Sequence, residues 1–472
     1  MITNIKKFFA NIYCFLCRMK HSKSMTNKDN YIDSQDKLDY LVARMENVKI
    51  IAIDTEFIRE KTYFPILSTI QIAFKNKKQI EVYIIDCLLD LNLSKFIDII
   101  YDRKITKICH SSIQDLQIFK IQKEKYHKNS KINQEKPPQN IIDTQVMANM
   151  LYNINNISYK LLLEELFNIK INKEQQRSDW KKRPLNQEQI SYIINDVKYL
   201  IPAYEKLMKK IIAKNRFEWL TEEMSAILNI AYNNNIENIF RRICPKKINH
   251  QEKFRLWSLL QWREEIAQYI DIPRNHLIED DFLIKIINSF TKINKELKEI
   301  NNEEYSNQSN NHNINYEEIF GQYLSKNFIE IVVKRLINNI PQKKLINLLE
   351  NNPNKQEFIA NKIEIKTDLK NNLNQFFVNK ITEILNKNPK NEDNLLIKNI
   401  EIINLNNQQK KILQDLQKIV AKIAEQNNIN PHFLINNNSL KSFILQPENS
   451  NKIFGEWRYK LLNDKLSQII NV

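Results

Sequence analysis

One apolar run constrains this chain more than any other stretch, because it predicts a buried strand followed by two acids. Apart from Lys49, residues 48–53 are branched aliphatic or alanine, and such side chains pack well on a pleated sheet. Asp54 and Glu56 follow, and residues two apart in a strand point to the same face. Two close carboxylates repel each other unless a cation lies between them, and oxygen ligands suit Mg²⁺ or Mn²⁺ better than zinc. The alternative is a strand that ends in an acidic turn whose carboxylates face water.

The surrounding pattern, from residue 31 to residue 214, predicts an α/β domain because strand-like and helix-like stretches alternate. A helix is predicted over 36–45, and a short connection makes strands at 67–74 and 80–85 a hairpin. Further along, the pattern predicts helices over 93–101 and from 113 onward, a strand over 105–110, an exposed insertion over 123–140, and a helix to Met150 capped by Asp143.

Composition limits the class of protein without fixing it. The 472 residues are 42% hydrophobic, which allows two to four folded domains. Lys and Arg number 71 against 55 Asp and Glu, and the resulting charge of +16 favours polyanionic partners but does not choose between RNA, DNA and an anionic membrane. Only two glycines occur, Gly321 and Gly455, so the chain has neither a P-loop nor a dinucleotide fingerprint.

The cysteines and the N-terminal segment give weaker information. Five scattered cysteines indicate a reducing compartment without a disulfide framework, and Cys14 and Cys17 have metal-ligand spacing but no second ligand pair. Residues 1–28 are basic, without any acid, and flank an apolar run over 8–17 that is too short to cross a bilayer. The segment imitates a targeting signal, and Met19 or Met25 could be the true start, so we expect a dispensable extension.

Two later segments offer partners for Asp54 and Glu56. Asp115 falls in the first turn of a predicted helix, directly after a predicted strand. Tyr192 and Asp196 are four residues apart, which places a phenol and a carboxylate on one face of a helix. Each of these residues alone is more typical of an ordinary solvated surface. Taken in chain order, however, the residues form a set of four acids and one phenol.

In this set and its surroundings the chain resembles the ribonuclease D family, the tyrosine-bearing branch of the DEDD 3′–5′ exonuclease superfamily. The resemblance covers about 31–220, and it rests on the acids together with residues 53–65, 110–116, 143–145 and 178–185. It implies a ribonuclease H-like exonuclease domain with a mixed sheet, and two divalent ions, Mg²⁺ or Mn²⁺, as cofactors. By analogy Asp54 bridges both ions, Glu56 and Asp196 complete the site of the nucleophile's ion, Asp115 holds the second ion, and Tyr192 mainly orients the attacking water.

The same resemblance suggests further residues that contact substrate. Aromatic side chains beside the acids would pack against the terminal nucleotides, and nearby arginines would contact phosphates; each of them could equally be core or surface. The candidates are Phe57, Tyr63, Phe64, Arg59 and Arg177. His110 comes before the Asp115 turn and not at the position of Tyr192, so a structural role is the favoured interpretation.

Beyond residue 217 helical patterns replace strands. Residues 256–278 resemble the first HRDC domain of ribonuclease D, a helical module shared with RecQ-type helicases, and 413–435 with 454–458 suggest a second copy. Such modules would bind nucleic acid, or alternatively protein. The predicted division is an extension over 1–28, an exonuclease domain over 29–215, a helical linker over 216–250, HRDC domain 1 over 251–340, a low-complexity connection over 341–404 and an HRDC-like domain 2 over 405–472.

These observations lead to one expectation and two alternatives. We expect a monomeric, cytoplasmic, metal-dependent 3′–5′ exoribonuclease that trims tRNA precursors with 3′ extensions and other structured RNA, releases nucleoside 5′-monophosphates and has no membrane partner. The first alternative is a DNA exonuclease of the same superfamily. The second is a catalytically silent RNA-binding protein that kept the fold, although the complete set of acids argues against it.

Overall fold

Three successive apolar stretches form the centre of a six-stranded mixed sheet in the computed structural model. The structure describes residues 30–127, 136–171, 174–233, 236–245, 247–304, 316–350, 368–389 and 405–470. These residues divide into two compact units. The first comprises the described residues up to Phe57, with Leu67–Ala148 and Asn156–Arg216; the second comprises Ile58–Ile66, Asn149–Asn155 and the described residues from Phe217 onward.

The sheet of the first unit has the strand order β1-β4-β3-β2-β5-β6. Strands β3 and β4 are antiparallel, as the predicted hairpin requires, whereas β1 with β4, β2 with β5, and β5 with β6 are parallel. In register, Ala52 of β2 lies opposite Ile108 of β5, and Cys109 lies opposite Asp143. The strands are β1 Tyr31–Ile32, β2 Ile50–Ile58, β3 Ile66–Asn76, β4 Gln79–Asp86, β5 Thr106–Cys109 and β6 Ile141–Asp143.

Helices cover both faces of this sheet, and alternate residues of β2 serve the two faces. Ile51 and Ile53 belong to a core that also contains buried residues of α1, α2 and α3. Ala52 belongs to a second core with residues of α5, α6 and α7. The helices of this unit are α1 Gln35–Met45, α2 Ser94–Tyr101, α3 Ile113–His127, α4 Thr144–Asn149, α5 Tyr159–Phe167, α6 Gln187–Lys198 and α7 Leu200–Ala213.

Two predictions about this unit need correction. The alternative of a strand that ends in an acidic turn is wrong, because β2 continues through Ile58 with Phe57 still packed on the first core. The predicted insertion over 123–140 begins later, since α3 continues to His127 and Gln122 is buried; residues 128–135 lie outside the described residues. Asp143 is confirmed as a cap, because its Oδ1 accepts the backbone N–H of Gln145 in α4 at 2.8 Å.

The second unit is helical and contains two separate cores. The larger core runs from Ile239 to Leu385, so the described helices after residue 341 pack with those of the predicted domain 251–340 and do not act as a plain connection. Part of the predicted linker, from Ile239 to Cys244, also belongs to this core. Its helices are α9 Ile236–Ile243, α10 His250–Ile270, α11 Arg274–Leu277, α12 Asp280–Glu304, α13 Tyr316–Leu324, a π-helical turn Ser325–Ile329, α14 Glu330–Asn339, α15 Gln342–Glu350 and α16 Leu369–Asn386.

The smaller core begins at Leu416, and Trp219 of α8 packs against it. Here α17 and α18 repeat the arrangement of α10 and α11: a capping box at Asn249 or Asn406 opens a long helix, and a proline-containing turn leads to a four-residue helix. This agrees with the internal similarity read from the sequence. The helices are α8 Phe217–Tyr232, α17 Asn407–Gln426, α18 Pro431–Leu434, α19 Asn437–Leu445, α20 Ser450–Phe454 and α21 Glu456–Ile470.

Two further expectations concern cysteines and membranes. The cysteines among the described residues are all free; they are Cys87, Cys109 and Cys244. The sequence likewise predicts no disulfide framework. Cys14, Cys17 and the extension over 1–28 lie outside the described residues. Within the described ranges, no helix combines the length and apolarity needed to cross a bilayer.

Candidate active site

The alternation of β2 decides which face its acids occupy. Ala52, Asp54 and Glu56 follow one another at intervals of two residues, so the two acids project on the side of the sheet where Ala52 packs. Val197 of α6 belongs to the same core as Ala52. Helix α6 therefore lies on the side of the sheet that carries the acids, and Asp196 precedes Val197 in it.

Three carboxylates meet at this place. One oxygen from each of Asp54, Glu56 and Asp196 lies within 4.8 Å of the others, and all three side chains are half-buried. The structure thus brings together residues from β2 and α6 that are about 140 positions apart in the sequence. The sequence-based prediction placed these three residues in one metal site.

Burial and mutual repulsion oppose the charges of these acids. Burial is the largest cause that raises the pKa of Asp54 well above its usual value, followed by the charges of Asp115, Asp196 and Glu56. For Glu56, burial and then the charges of Asp196 and Asp115 raise the pKa to about 9. Every contribution to the Glu56 shift acts in the same direction, so the site favours either protons or an added cation.

Asp115 is joined to β2 through Thr55. Thr55 lies between Asp54 and Glu56 in β2, so its side chain points to the opposite face of the strand. Its hydroxyl donates a hydrogen bond to Asp115 Oδ1. Asp115 lies in the first turn of α3 and is only 6% exposed. Burial raises its pKa to about 7, although the Thr55 hydrogen bond acts in the opposite direction. The structure therefore separates Asp115 from the three clustered acids while leaving it close enough to act on Asp54 electrostatically.

Asp143 fixes the start of the helix that carries Asp115. Its carboxylate accepts the backbone N–H groups of Ser111 at 3.0 Å and Ser112 at 2.7 Å, and the Ser112 hydroxyl at 2.9 Å. Ser111 has φ +62°, which is the left-handed region, so this turn is held in a conformation that few residues adopt. Asp143 is buried, and it supports α3 and α4 together.

Tyr192 stands beside the acids on α6. A side-chain hydrogen bond links it to Asp196, one turn further along the same helix. Burial, followed by the charge of Asp196, raises the pKa of the phenol far above its usual value. A protonated phenol can donate a hydrogen bond, as the predicted orienting role requires, and that role stays a prediction.

The remaining aromatic candidates occupy two different environments. Phe57 is half-buried against the first core of the sheet. Tyr63 packs against the larger helical core, where its hydroxyl donates to Glu264 at 2.9 Å and accepts from Gln268 at 3.0 Å. Phe64 contacts Tyr63 edge-to-face, with ring centroids 5.0 Å apart. These contacts give Tyr63 a packing role, whereas its contact with substrate stays a prediction.

The polar side chains near the site also occupy two environments, because the two arginines are exposed and His110 is hydrogen-bonded. Arg59 and Arg177 are exposed, and Arg177 ends a short 3₁₀ helix, Glu174–Arg177. His110 has both ring nitrogens engaged, with Nδ1 3.0 Å from Thr144 Oγ1 and Nε2 3.1 Å from the carbonyl oxygen of Ile157. The favoured structural role of His110 agrees with these contacts.

Sequence reasoning assigned three residues around the site no role in supporting it. Thr55 and Asp143 support Asp115, and the ring of Trp180 lies 6.0 Å from the ring of Tyr192. Trp180 belongs to segment 178–185, one of the segments on which the resemblance rests. The resemblance indicated no physical role for its side chain. Only the folded chain brings Trp180 next to Tyr192, and Thr55 and Asp143 next to the segment that carries Asp115.

The residues present fit a divalent cation. Three carboxylates offer hard oxygen ligands within one small space, and their raised pKa values reflect a surplus of negative charge. Asp54, Glu56 and Asp196 could hold one ion, and Asp115 could contribute to a second. A cation there would offset the repulsion that burial makes costly.

Comparison with known proteins agrees with this geometry. The 3′–5′ exonuclease family matches residues 30–212. A ribonuclease D of Desulfotalea psychrophila is 33% identical over 262 residues, and one of Granulibacter bethesdensis is 31% identical over 270 residues. These matches cover 55% and 57% of this chain, and 66% and 64% of the relatives, a little under two thirds of their length.

Solved structures extend the likeness in fold to the helical half. The crystal structure of Escherichia coli RNase D, an exoribonuclease involved in structured RNA processing, matches with a TM-score of 0.60 at 19% identity, over 93% of this chain and 98% of its own. A protein from Bifidobacterium adolescentis has a TM-score of 0.53 at 16% identity and covers 94% of this chain and 97% of its own. The chain therefore has the ribonuclease H-like exonuclease fold, with a 3′–5′ exonuclease domain over residues 30–212, and is similar to ribonuclease D proteins over a little more than half of its length.

Proposed function

We propose that this protein is a metal-dependent 3′–5′ exoribonuclease that trims the 3′ ends of tRNA precursors and other structured RNA. The observation that carries the proposal is the cluster of Asp54, Glu56 and Asp196, with Asp115 and Tyr192 beside it. The homology to ribonuclease D proteins supports RNA as the substrate. The expected reaction adds water across the bond between phosphorus and the 3′ oxygen, releasing a nucleoside 5′-monophosphate.

The acids would hold two divalent ions, Mg²⁺ or Mn²⁺. In this assignment Asp54 serves both ions, Glu56 and Asp196 serve the first, and Asp115 serves the second. Such ions acidify the attacking water and offset charge on the scissile phosphate. The protein supplies the fixed carboxylates, and buried partners such as Thr55 and Asp143 hold Asp115 in place.

Tyr192 would orient the attacking water. Because burial and Asp196 keep the phenol protonated, it acts as a hydrogen-bond donor and not as a general base. Tyr192→Phe should therefore lose most of the turnover while keeping the affinity for Mn²⁺. Turnover close to that of the wild type would contradict this role.

We infer that the helical half holds the body of the RNA, as expected if its two similar segments are HRDC modules. Helix α17 supports this inference, because Lys411, Lys418 and Lys422 are exposed on one side of the helix, where Asp415 pairs with Lys418 at 2.8 Å. A face of this kind could instead contact an acidic protein. Retention of 3′-extended tRNA by the full-length protein in a filter-binding assay, lost with rising salt, is the result expected for RNA.

One experiment tests the activity. Wild type, Asp54→Ala and the exposed control Asp90→Asn are incubated with a 3′-extended tRNA, with and without Mn²⁺, and the products are sized and identified. We expect stepwise shortening and nucleoside 5′-monophosphates from wild type and Asp90→Asn only, and only with the metal. Internal fragments or metal-independent cleavage would contradict the proposal.

A matched DNA strand in the same assay addresses the alternatives. Faster digestion of DNA than of RNA would indicate a DNA exonuclease of the same superfamily. No digestion of either strand with Mg²⁺ or Mn²⁺, together with tight binding of RNA, would indicate a silent RNA-binding protein. The location in the cytoplasm and the monomeric state remain predictions.

A further inference from the structure

An ion pair at the end of the sheet lies outside the carboxylate cluster. The guanidinium of Arg183 donates to both oxygens of Asp86, from Nε at 2.6 Å and from Nη2 at 2.7 Å. Asp86 is the last residue of β4 and is 2% exposed, and its carboxylate also accepts the Tyr31 hydroxyl of β1 at 2.7 Å. This bidentate pair joins residues 97 positions apart and attaches the segment before α6 to the sheet.

The same guanidinium fixes Trp180. Nη1 of Arg183 donates to the carbonyl oxygen of Trp180 at 3.0 Å, and the Ser68 hydroxyl of β3 donates to that oxygen at 2.6 Å. Nη2 also donates to the carbonyl oxygen of Ser68 at 3.1 Å. The backbone of Trp180 is therefore held from two sides, which sets the direction in which its buried ring leaves the chain.

Two contacts carry this constraint to helix α6. The Trp180 ring lies against the Tyr192 ring, with centroids 6.0 Å apart and planes at 38°. The side chain of Gln189, which forms a capping box with Asn186 at the start of α6, donates to the carbonyl oxygen of Asp179 at 3.2 Å. The start of the helix and the aromatic wall behind Tyr192 thus depend on one segment.

We propose that Arg183, bound to Asp86, is a positioning residue that acts through Trp180 to hold the Tyr192 phenol in its productive orientation. The proposal rests on the proposed nuclease function and adds a determinant of its turnover. Hydrogen bonds to Asp86 make Arg183 unavailable as a free phosphate contact, which separates it from exposed basic neighbours such as Lys181.

The charge state supports a permanent pair. Burial alone would raise the pKa of Asp86, yet the hydrogen bonds from Arg183 and Tyr31 hold it below its usual value. Lysine at position 183 keeps the charge but loses the planar fork that reaches Asp86 and the two carbonyl groups together. Arg183→Lys is therefore a conservative change that should loosen the segment.

A double-mutant cycle on the full-length protein tests the proposal. Arg183→Lys, Tyr192→Phe, the double variant and the control Lys181→Gln are assayed for kcat and KM on the polynucleotide that the wild type digests. We expect Arg183→Lys to lower kcat by about tenfold with little change in KM, as for losses of supporting contacts around a site. In the Tyr192→Phe background the same change should cost less than about twofold, because its effect passes through the phenol.

Other outcomes would overturn the proposal. An equal loss of kcat in both backgrounds would mean that the pair only stabilises the fold, and a raised KM with unchanged kcat would mean that Arg183 binds phosphate. Asp86→Asn is the second variant; it should reproduce the tyrosine-dependent loss, and Mn²⁺-induced thermal stabilisation verifies that each variant is folded. Failure of the wild type to digest any polynucleotide would contradict the proposed function, whereas an additive cycle in an active enzyme contradicts only this inference.

Discussion

Half-buried carboxylates cluster at the end of β2, whereas carboxylates of the helical core are paired with arginines. Asp54, Glu56 and Asp196 share one small space, and their main electrostatic neighbours are other acids. In the helical core, Arg263 is fully buried and donates to Asp280 at 2.7 Å, and Glu264 lies 3.1 Å from Arg274.

The difference separates two uses of buried charge. Arginines within the chain compensate the charges of Asp280 and Glu264, so these charges contribute to one packed arrangement. The acids at β2 are left with excess negative charge, which costs stability unless a cation is added. Perturbed acids of this kind are typical of functional sites, and the paired ones are typical of structural networks.

Removal of one clustered acid gives the largest expected effect. Asp196→Asn should lower the rate of RNA digestion by more than about 100-fold, because loss of a metal ligand costs at least as much as loss of its supporting contacts. Single-turnover assays with saturating Mn²⁺ measure this. Asp90→Asn, an exposed acid, is the control; an Asp196→Asn enzyme with normal turnover would mean that the cluster is not the catalytic site.

Removal of one paired charge should act on stability instead. Arg263→Ala leaves Asp280 with only its exposed partner Arg242, and we expect a loss of about 3 kcal/mol of unfolding free energy. Arg242→Ala, on the exposed side of the same carboxylate, should cost less than about 1 kcal/mol. Urea denaturation followed by helical circular dichroism measures both. Equal losses would show that burial does not distinguish the two arginines.

The affinity for a divalent cation should depend on pH. The pKa of Glu56 is raised to about 9 and that of Asp115 to about 7, so binding of Mn²⁺ must displace protons below these values. We expect the affinity to rise by at least about tenfold per pH unit from about pH 6 to about pH 8, because at least one proton is displaced throughout this range. Calorimetric titration in buffers of different ionisation enthalpy measures the protons released. An affinity independent of pH would contradict the assignment.

The smallest expected effect is on the metal-free protein. A carboxyl whose pKa is raised in the folded state stabilises the fold at low pH, and this contribution is lost as the pH rises from the ordinary value to about 9. Glu56→Gln should therefore raise the stability of the metal-free protein near pH 8 by on the order of 1 kcal/mol. It should also reduce the stabilisation by Mn²⁺. Thermal denaturation with chelator and with Mn²⁺ gives both values, and a destabilised metal-free variant would contradict the proposed repulsion.

Local periodicity made part of this site predictable. The apolar run before Asp54 predicted the strand, alternation placed Asp54 and Glu56 on one face, and four-residue spacing placed Tyr192 and Asp196 on one side of a helix. The hairpin of β3 and β4 was predicted from two apolar runs and a short connection. All of these features depend on residues close in sequence.

Long-range pairing accounts for what could not be predicted. The resemblance assigned Asp115 to a second ion, but nothing in the sequence pattern indicated that Thr55 would bind it apart from the three clustered acids. Likewise, nothing in the pattern indicated that helices after residue 341 would complete the core begun at Ile239. Packing against distant helices decides such matters, and single-sequence periodicity contains no information about which distant faces meet.

The sequence alone therefore determined the kinds of groups at the site and the elements that carry them, because strand and helix spacing are set by backbone geometry. The tertiary structure decided which groups share space: three acids together, Asp115 beside Thr55, and Arg183 with Asp86 across 97 residues. It also decided which charges are paired. The physical reason is that burial and electrostatic repulsion act over distances in space and not along the chain, so the unpaired acids of β2 and the paired charges of α10 become distinguishable only in the folded protein.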